Sequence, residues 1–200
     1  MSTVSFVYFD LGDVVVSSRQ AHEAIAKLST SSLEEIEAFL AETEQQRGRG
    51  HVATDAYMAD LKKRVGLAHA ANDFTDMWSD FITPILPTHD LIRELAAKYR
   101  LGILSNAELG VIEKELIKGK IPNIPWTVII ESAAEGYMKP DKEIFELAQH
   151  RAGVPAEEIF FIDDKKANTD AAAALGWQTF LFDSKNLEAH ISKLRSLLLE

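Results

Sequence analysis

The chain has 200 residues, 46% of them hydrophobic, which is enough for one large domain or for a core with a smaller inserted module. It contains no cysteine, which excludes a disulfide scaffold, a zinc–thiolate site and a cysteine nucleophile, and fits a reducing compartment. The 31 acidic and 21 basic residues give a formal net charge of -10, so the overall field would repel nucleic acid and anionic membranes.

The first residues lack the basic start and the small-residue cleavage site of a secretory signal peptide, and no apolar run approaches the ~18 residues of a membrane helix. We therefore expect a cytoplasmic protein without a nucleic-acid or membrane partner. The same field would repel a phosphorylated small molecule, so a site for one needs local positive charge or a metal. Nothing in the sequence indicates the oligomeric state.

The first predicted element is a buried β-strand over residues 4–10, which are apolar and rich in β-branched and aromatic side chains. The run breaks at residues 11–13, so Asp10 falls at the carboxyl edge of this strand. In parallel α/β sheets, ligands bind in the crevice beyond such edges. Taken alone, Asp10 is a candidate nucleophile, a candidate metal ligand or a turn former.

Residues 17–87 carry only helical patterns. Ser17 with Gln20 and Ser32 with Glu35 predict two helix starts of the capping-box type. Apolar residues at helical spacing then give four amphipathic helices in succession, which is typical of a small helical bundle. A basic break in this region could reach a substrate or form a solvated turn, and it contains Arg47, Arg49 and His51.

From residue 88 onward, helical and strand patterns alternate, which predicts βαβ units and a parallel sheet covered by helices on both faces. The predicted fold class is therefore α/β, with a Rossmann-like core formed by residues 1–16 and 88–200. Residues 17–87 are predicted to form a helical domain inserted after the first strand. The predicted strands of the second part cover residues 101–104, 126–130, 158–162 and 177–182.

Four polar segments fall just beyond predicted strands or at helix starts, so a parallel sheet would bring them together above its carboxyl edge. Carboxylates from two strand ends repel each other unless a cation lies between them, and their oxygens suit Mg2+. A nearby lysine with hydroxyl or amide donors would complete a phosphate site, and an Asp can serve as the nucleophile of phosphoryl transfer. The segments contain Asp10, Ser105 with Asn106, Lys139, and Asp163 with Asp164.

These segments resemble the four signature motifs of the haloacid dehalogenase-like (HAD) hydrolase superfamily, in the family's order and in the expected strand and helix contexts. The helical insertion resembles the family's C1-type cap. The matching stretches are VYFDLGDV at residues 7–14, ILSN at 103–106, GYMKPDKEIF at 136–145 and FFIDDKKAN at 160–168.

The resemblance implies that Asp10 is a nucleophile that forms an aspartyl-phosphate. It further implies that Ser105, the backbone of Asn106 and Lys139 hold the phosphoryl oxygens. Mg2+ would be bound by Asp164, Asp10 and the backbone carbonyl of Gly12, with Asp163 either touching the metal or supporting its ligands. Asn168 would brace Asp164.

One residue departs from the pattern of the family's phosphatases. They usually carry a second Asp two positions after the nucleophile, as the general acid and base, and this chain has Gly12 there. Asp13 is a poor substitute, because one step along an extended chain turns the side chain away. Loss of such catalysis is worth ~10²- to 10⁴-fold. The FDLG start also resembles a sugar-phosphate phosphatase branch that shares this glycine.

The resulting prediction is an Mg2+-dependent phosphatase that acts on a small phosphorylated metabolite, with sugar phosphates as one candidate class. Two alternatives stay open: a haloacid dehalogenase that hydrolyses a carbon–halogen bond with the same Asp, and a degenerate phosphate-binding or interaction protein. Taken alone, Asp163 and Asp164 are also consistent with a simple helix cap, and Lys165 and Lys166 are expected to be a solvated pair. Trp78 is expected to serve packing.

Overall fold

The computed structural model describes residues 3–67 and 74–200. The strands in this part of the chain are β1 (Phe6–Phe9), β2 (Val16–Ser17), β3 (Thr83–Pro84), β4 (Arg100–Ser105), β5 (Val128–Glu131), β6 (Ile159–Asp163) and β7 (Gln178–Leu181). The helices are α1 (Arg19–Leu28), α2 (Leu33–Gly48), α3 (Thr54–Val65), α4 (Phe74–Phe81), α5 (Leu86–Leu95), α6 (Val111–Ile117), α7 (Ser132–Glu135), α8 (Lys142–Ala152), α9 (Lys166–Ala174) and α10 (Leu187–Leu198). Short 3-10 helices lie at Ala156–Glu158 and Ser184–Asn186.

Five strands form a parallel sheet in the order β5-β4-β1-β6-β7. The side chains of β1 alternate between two apolar layers, Val7 and Phe9 on one face of the sheet and Phe6 and Tyr8 on the other. All four are fully buried, as expected for a strand covered on both faces. The structure thus confirms the predicted α/β fold class and puts β1 at the centre of the sheet.

Helices α1 to α4 lie between β2 and β3, and we call them the helical insert. They enclose an apolar cluster of their own that includes Ile25, Ile36, Phe39 and Leu61. The chain enters and leaves the insert through β2 and β3, which pair antiparallel. The division into two domains at residues 17 and 87 stays a prediction.

One predicted helix start is correct and one is wrong. Ser32 accepts a hydrogen bond from the Glu35 backbone N–H, and the Glu35 carboxylate accepts one from the Ser32 N–H, so the capping box at α2 is confirmed. Ser17 does not start α1, because it lies in β2 opposite Thr83. The cap position belongs to Ser18, which makes no side-chain capping bond.

No helix among residues 3–67 and 74–200 combines the length and the apolar character that a membrane crossing requires.

Candidate active site

The three acids predicted for the site converge at the carboxyl edge of the sheet. Asp10 follows β1, and its backbone N–H donates to the carbonyl of Ile162 in β6 (2.9 Å), which holds the two strand ends level. Asp163 ends β6 and Asp164 follows it. One carboxylate oxygen from each acid lies within 4.8 Å of the others. We call these three residues the acidic cluster.

Lys139 lies against the acidic cluster and is almost completely buried. Its Nζ is 2.9 Å from Oδ1 of Asp10 and 2.6 Å from Oδ2 of Asp163. Burial opposes the charged ammonium, but the charges of Asp10 and Asp163 and their hydrogen bonds outweigh it and raise the pKa of Lys139. The lysine therefore stays charged, and its ammonium group contacts the acids at two strand ends.

Asn106 fixes the backbone of Lys139 with its side chain. Its Nδ2 donates to the Lys139 carbonyl and its Oδ1 accepts from the Lys139 N–H, both at 2.8 Å. The sequence suggested only the Asn106 backbone as a phosphate donor. Because the side-chain contact joins residues 33 positions apart, no local pattern signals it.

The structure places Asn168 differently from the prediction. Its Nδ2 donates to both carboxylate oxygens of Asp163, at 2.9 and 3.1 Å, so the expected brace on Asp164 is wrong. Asp163 also accepts the Lys165 backbone N–H (2.8 Å), because its carboxylate points back over the first turn of α9. Both oxygens of Asp163 are therefore engaged, whereas Oδ1 of Asp164 is buried and has no hydrogen-bond partner.

The electrostatics of the acidic cluster favour a cation. Burial, and then repulsion by Asp163 and Asp164, raise the pKa of Asp10 to about 7 although Lys139 opposes this. Burial and Asp163 raise the pKa of Asp164 to about 6. The ionised cluster with Lys139 has two more negative than positive charges. Together with the orphaned Asp164 oxygen, this excess makes the residues a good fit for a hard divalent cation bound by oxygen.

Two adjoining cavities open at this edge. The inner cavity, about 180 Å³, has walls formed by Asp10, Gly12, Asp13, Ser105, Lys139, Asp164 and Asn168. The outer cavity, about 320 Å³, extends between the core and the helical insert. The boundary residues shared by both are Gly12, Ser18, Glu44, Ser105, Asn106 and Lys165. Every predicted site residue except Asp163, which is fully buried, thus lines the inner cavity.

Two arginines of the basic break in the insert form ion pairs with the core. Arg47 pairs with Glu108 after β4, and Arg49 pairs with Asp141 before α8 (2.6 Å). His51 is exposed. Arg47 also lines the outer cavity, so it is neither a solvated turn residue nor a free anion binder.

Lys165 and Trp78 have their expected surroundings and, in addition, line the cavities. Lys165 is exposed, as predicted, and it also lines both cavities and pairs with Glu44 of the insert (3.1 Å). Trp78 packs against two of the apolar clusters, as expected, but also forms part of the outer cavity wall. Both cavity contacts follow from the approach of the insert to the sheet edge.

Glu131 has a structural role that the sequence did not indicate. Its carboxylate accepts the backbone N–H groups of Gly110 (3.0 Å) and Ile112 (2.7 Å), which start α6. This remote cap holds the segment that follows Ser105 and Asn106 at the sheet edge. The partners lie about twenty residues apart in the sequence, so no local capping motif predicts this interaction.

Comparison with known proteins agrees with this geometry. The model of the haloacid dehalogenase-like hydrolases matches residues 5–176. A curated relative, (S)-2-haloacid dehalogenase of Pseudomonas putida, is 30% identical over 106 residues, which cover 52% of this chain but only 46% of that protein. The sesquiterpene phosphatase astK of Aspergillus oryzae is 25% identical over 181 residues, 88% of each chain.

A solved structure shares the fold. It is the HAD family enzyme bt-2542 of Bacteroides thetaiotaomicron in complex with magnesium and inorganic phosphate, with a TM-score of 0.74, 23% sequence identity, and coverage of 90% of this chain and 95% of that one. At this identity the likeness concerns the fold alone. Since the family model spans most of the sequence, the chain belongs to the haloacid dehalogenase-like hydrolases.

Proposed function

We propose that the protein is an Mg2+-dependent phosphatase that hydrolyses a small phosphate monoester through an aspartyl-phosphate at Asp10. The observation that carries this proposal is the acidic cluster itself. A carboxylate at the centre of the sheet edge contacts a buried lysine and lies close to a second carboxylate that has an unpartnered oxygen. The relative astK, a phosphatase, and the magnesium and phosphate complex of bt-2542 support it.

The contacts of the three acids indicate which of them are available to bind the metal. Oδ1 of Asp10 already accepts the Leu11 N–H (2.7 Å) and faces Lys139. Both oxygens of Asp163 are engaged. We therefore assign the metal to Asp10, Asp164 and the carbonyl of Gly12, with Asp163 holding Lys139 in place. When bound, Mg2+ would neutralise charge on the transferring phosphoryl group and orient it for in-line attack.

The first chemical step forms a bond between a carboxylate oxygen of Asp10 and phosphorus while the bond from phosphorus to the leaving oxygen breaks. The electron pair goes to the leaving oxygen, which takes up a proton. Ser105, the backbone N–H of Asn106 and Lys139 line the inner cavity and would hold the phosphoryl oxygens. Attack by water then returns Asp10 and releases phosphate.

A panel of phosphate monoesters tests this function. We expect hydrolysis with Mg2+ and, in EDTA, a rate at least ~100-fold lower, because the cation supplies several kcal/mol of transition-state stabilisation. Phosphate release is measured directly. Absence of turnover for every ester would support the alternative of a degenerate phosphate-binding protein, and undiminished rates in EDTA would contradict the metal assignment.

The substitution Gly12→Asp tests the missing general acid. A Cβ at Gly12 meets no atom within 4 Å, so the carboxylate has room at the boundary of the two cavities. We expect a rate increase of ~10-fold or more for alkyl phosphates, which need protonation of the leaving oxygen, and little change for p-nitrophenyl phosphate. The matched control is Gly12→Asn, which has the same size without the acid. Equal effects of both substitutions would exclude acid catalysis at this position.

Carbon–halogen hydrolysis by Asp10 is the second candidate, because the Pseudomonas dehalogenase is 30% identical over half of this chain. The unpartnered Asp164 oxygen beside Asp163 counts against it, since a neutral haloacid carbon centre has no need of a divalent cation. Release of chloride from 2-chloropropionate in EDTA would favour this candidate over the phosphatase.

A further inference from the structure

The outer cavity has an apolar wall and charged groups that are mostly paired with one another. The apolar part comes from both the core and the insert, including Leu11, Val16, Leu40, Trp78, Ile82 and Val111. Among its charged groups, Arg47 pairs with Glu108, Lys165 with Glu44, and the ring of His22 lies 3.7 Å from Glu37.

Glu115 is different from these groups. It lies on α6, its residue is 2% exposed, and it forms part of the outer cavity wall. Its Oε2 is buried without a hydrogen-bond partner. A buried carboxyl oxygen without a partner costs stability, so a carboxyl kept only for the fold would be expected to have one.

The surroundings keep this carboxyl neutral. Burial is the main cause and repulsion by Glu131 the second, and they raise the pKa of Glu115 to about 8 against the weaker pull of Lys120. Other charged groups on the packed elements already have partners. Asp76 and Asp80 of α4 pair with Lys114 and Lys118. Glu131 accepts the backbone N–H groups at the start of α6, and Lys120 donates to the carbonyls of Asp80 and Ile82.

We propose that Glu115 is a specificity residue whose buried, unpartnered carboxyl hydrogen-bonds a hydroxyl or carbonyl oxygen on the organic part of the substrate. The remainder of that organic part packs on the apolar wall of the outer cavity. This inference rests on the proposed phosphatase function at Asp10 and names its substrate class: a phosphate monoester of a mainly apolar alcohol that carries one further neutral oxygen.

The size of the site agrees with a small molecule. The outer cavity of about 320 Å³ adjoins the inner cavity through Gly12, Ser105 and Asn106, so a phosphate beside Asp10 leaves the organic group facing the helical insert. Volumes of this order hold one small organic ligand. Glu115 therefore acts on the leaving group rather than on the phosphoryl group.

The inference is tested with a series of alkyl phosphates of four to eight carbons. At each chain length, the end remote from the phosphate is a methyl, a hydroxyl or an ammonium group. We expect the wild type to prefer hydroxyl over methyl ends at least 10-fold in kcat/KM at one chain length. Glu115→Met should reduce that ratio about 10-fold, and Glu115→Gln, which still donates and accepts, should keep most of it. Glu113→Met, on the exposed side of the same helix, is the control and should leave it unchanged.

The pH dependence distinguishes hydrogen bonding by a neutral carboxyl from a merely structural role. In the wild type, the preference for the hydroxyl end should fall above about pH 8 as Glu115 ionises, and this fall should be absent in Glu115→Gln. A ratio that Glu115→Met leaves unchanged would overturn the inference. A preference for the ammonium end that is lost in Glu115→Gln would also overturn it, because it would assign recognition to a charged carboxylate.

Thermal unfolding gives a readout that needs no turnover. Below pH 4.5, the ordinary pKa of a glutamate, Glu115 is protonated in both the folded and the unfolded protein. Between pH 4.5 and about pH 8 it is protonated in the folded protein only, because its folded pKa is raised to about 8. The free energy of unfolding therefore falls as the pH rises through this window. Glu115→Gln should therefore gain in Tm relative to the wild type from pH 5 to pH 8. A lower Tm in both Glu115 variants at every pH would assign Glu115 to the fold and overturn the inference.

The two proposals fail in different ways. If the wild type hydrolyses no ester of the series with Mg2+, the phosphatase function fails and the role of Glu115 fails with it. If it hydrolyses esters with all ends equally, or if Glu115→Met keeps the wild-type preference, only the role of Glu115 is lost.

Discussion

Asp10→Asn is expected to lower phosphate-ester turnover by on the order of 10⁴-fold or more while the protein stays folded. An amide oxygen is too weak a nucleophile to form the acyl-phosphate bond. The fold tolerates the change because Asn has the same shape and because Lys139 keeps its 2.6 Å pair with Asp163. The substitution also removes one of three mutually repelling acids, so we expect a Tm equal to or above that of the wild type.

Asp13→Asn is the matched control for this prediction. Asp13 lines the inner cavity but lies outside the acidic cluster, and its positive φ of 53° suits Asn as well as Asp. Initial rates with Mg2+ and thermal unfolding are measured for both variants. Asp13→Asn should keep its rate within about threefold; wild-type activity in Asp10→Asn, or an equal loss in both, would contradict the assignment of the nucleophile.

The fold and the convergence of the site residues were predictable because both depend on the order of apolar and polar runs along the chain. An apolar run that ends at Asp10, and later runs that end near Ser105 and Asp163, suffice to place these side chains at one edge, since parallel strands end together. The capping box of Ser32 and Glu35 was predictable for the same reason, because a fixed spacing of three residues encodes it.

The wrong or missing predictions concern side-chain direction and remote contacts. Asn168 reaches Asp163 rather than Asp164 because the carboxylate at the end of β6 turns toward the first turn of α9, and sequence spacing alone does not tell two adjacent acids apart. The Glu131 cap on α6 and the burial of Glu115 depend on how elements approach one another, so no local pattern encodes them. Ser17 was misplaced because a two-residue strand carries no periodicity.

Lys139→Met is expected to lower the free energy of unfolding by about 3–5 kcal/mol in EDTA, in addition to abolishing turnover. The lysine side chain is 1% exposed and lies between Asp10 and Asp163, whose side chains are 9% and 0% exposed. Methionine fills a similar volume but leaves two buried carboxylates without their cation. The comparison with Lys142 isolates burial as the cause, because its 2.6 Å pair with Glu146 has side chains that are 65% and 52% exposed.

Urea unfolding in EDTA measures both variants. Lys142→Met should change the free energy of unfolding by less than about 0.5 kcal/mol, because water already screens that pair. Adding Asp163→Asn to Lys139→Met should restore part of the lost stability, since one of the stranded charges is removed. Equal effects of Lys139→Met and Lys142→Met would contradict the prediction, as would no recovery in the double variant. The buried lysine is thus expected to hold the strand ends together in the absence of a metal as well as to bind phosphate.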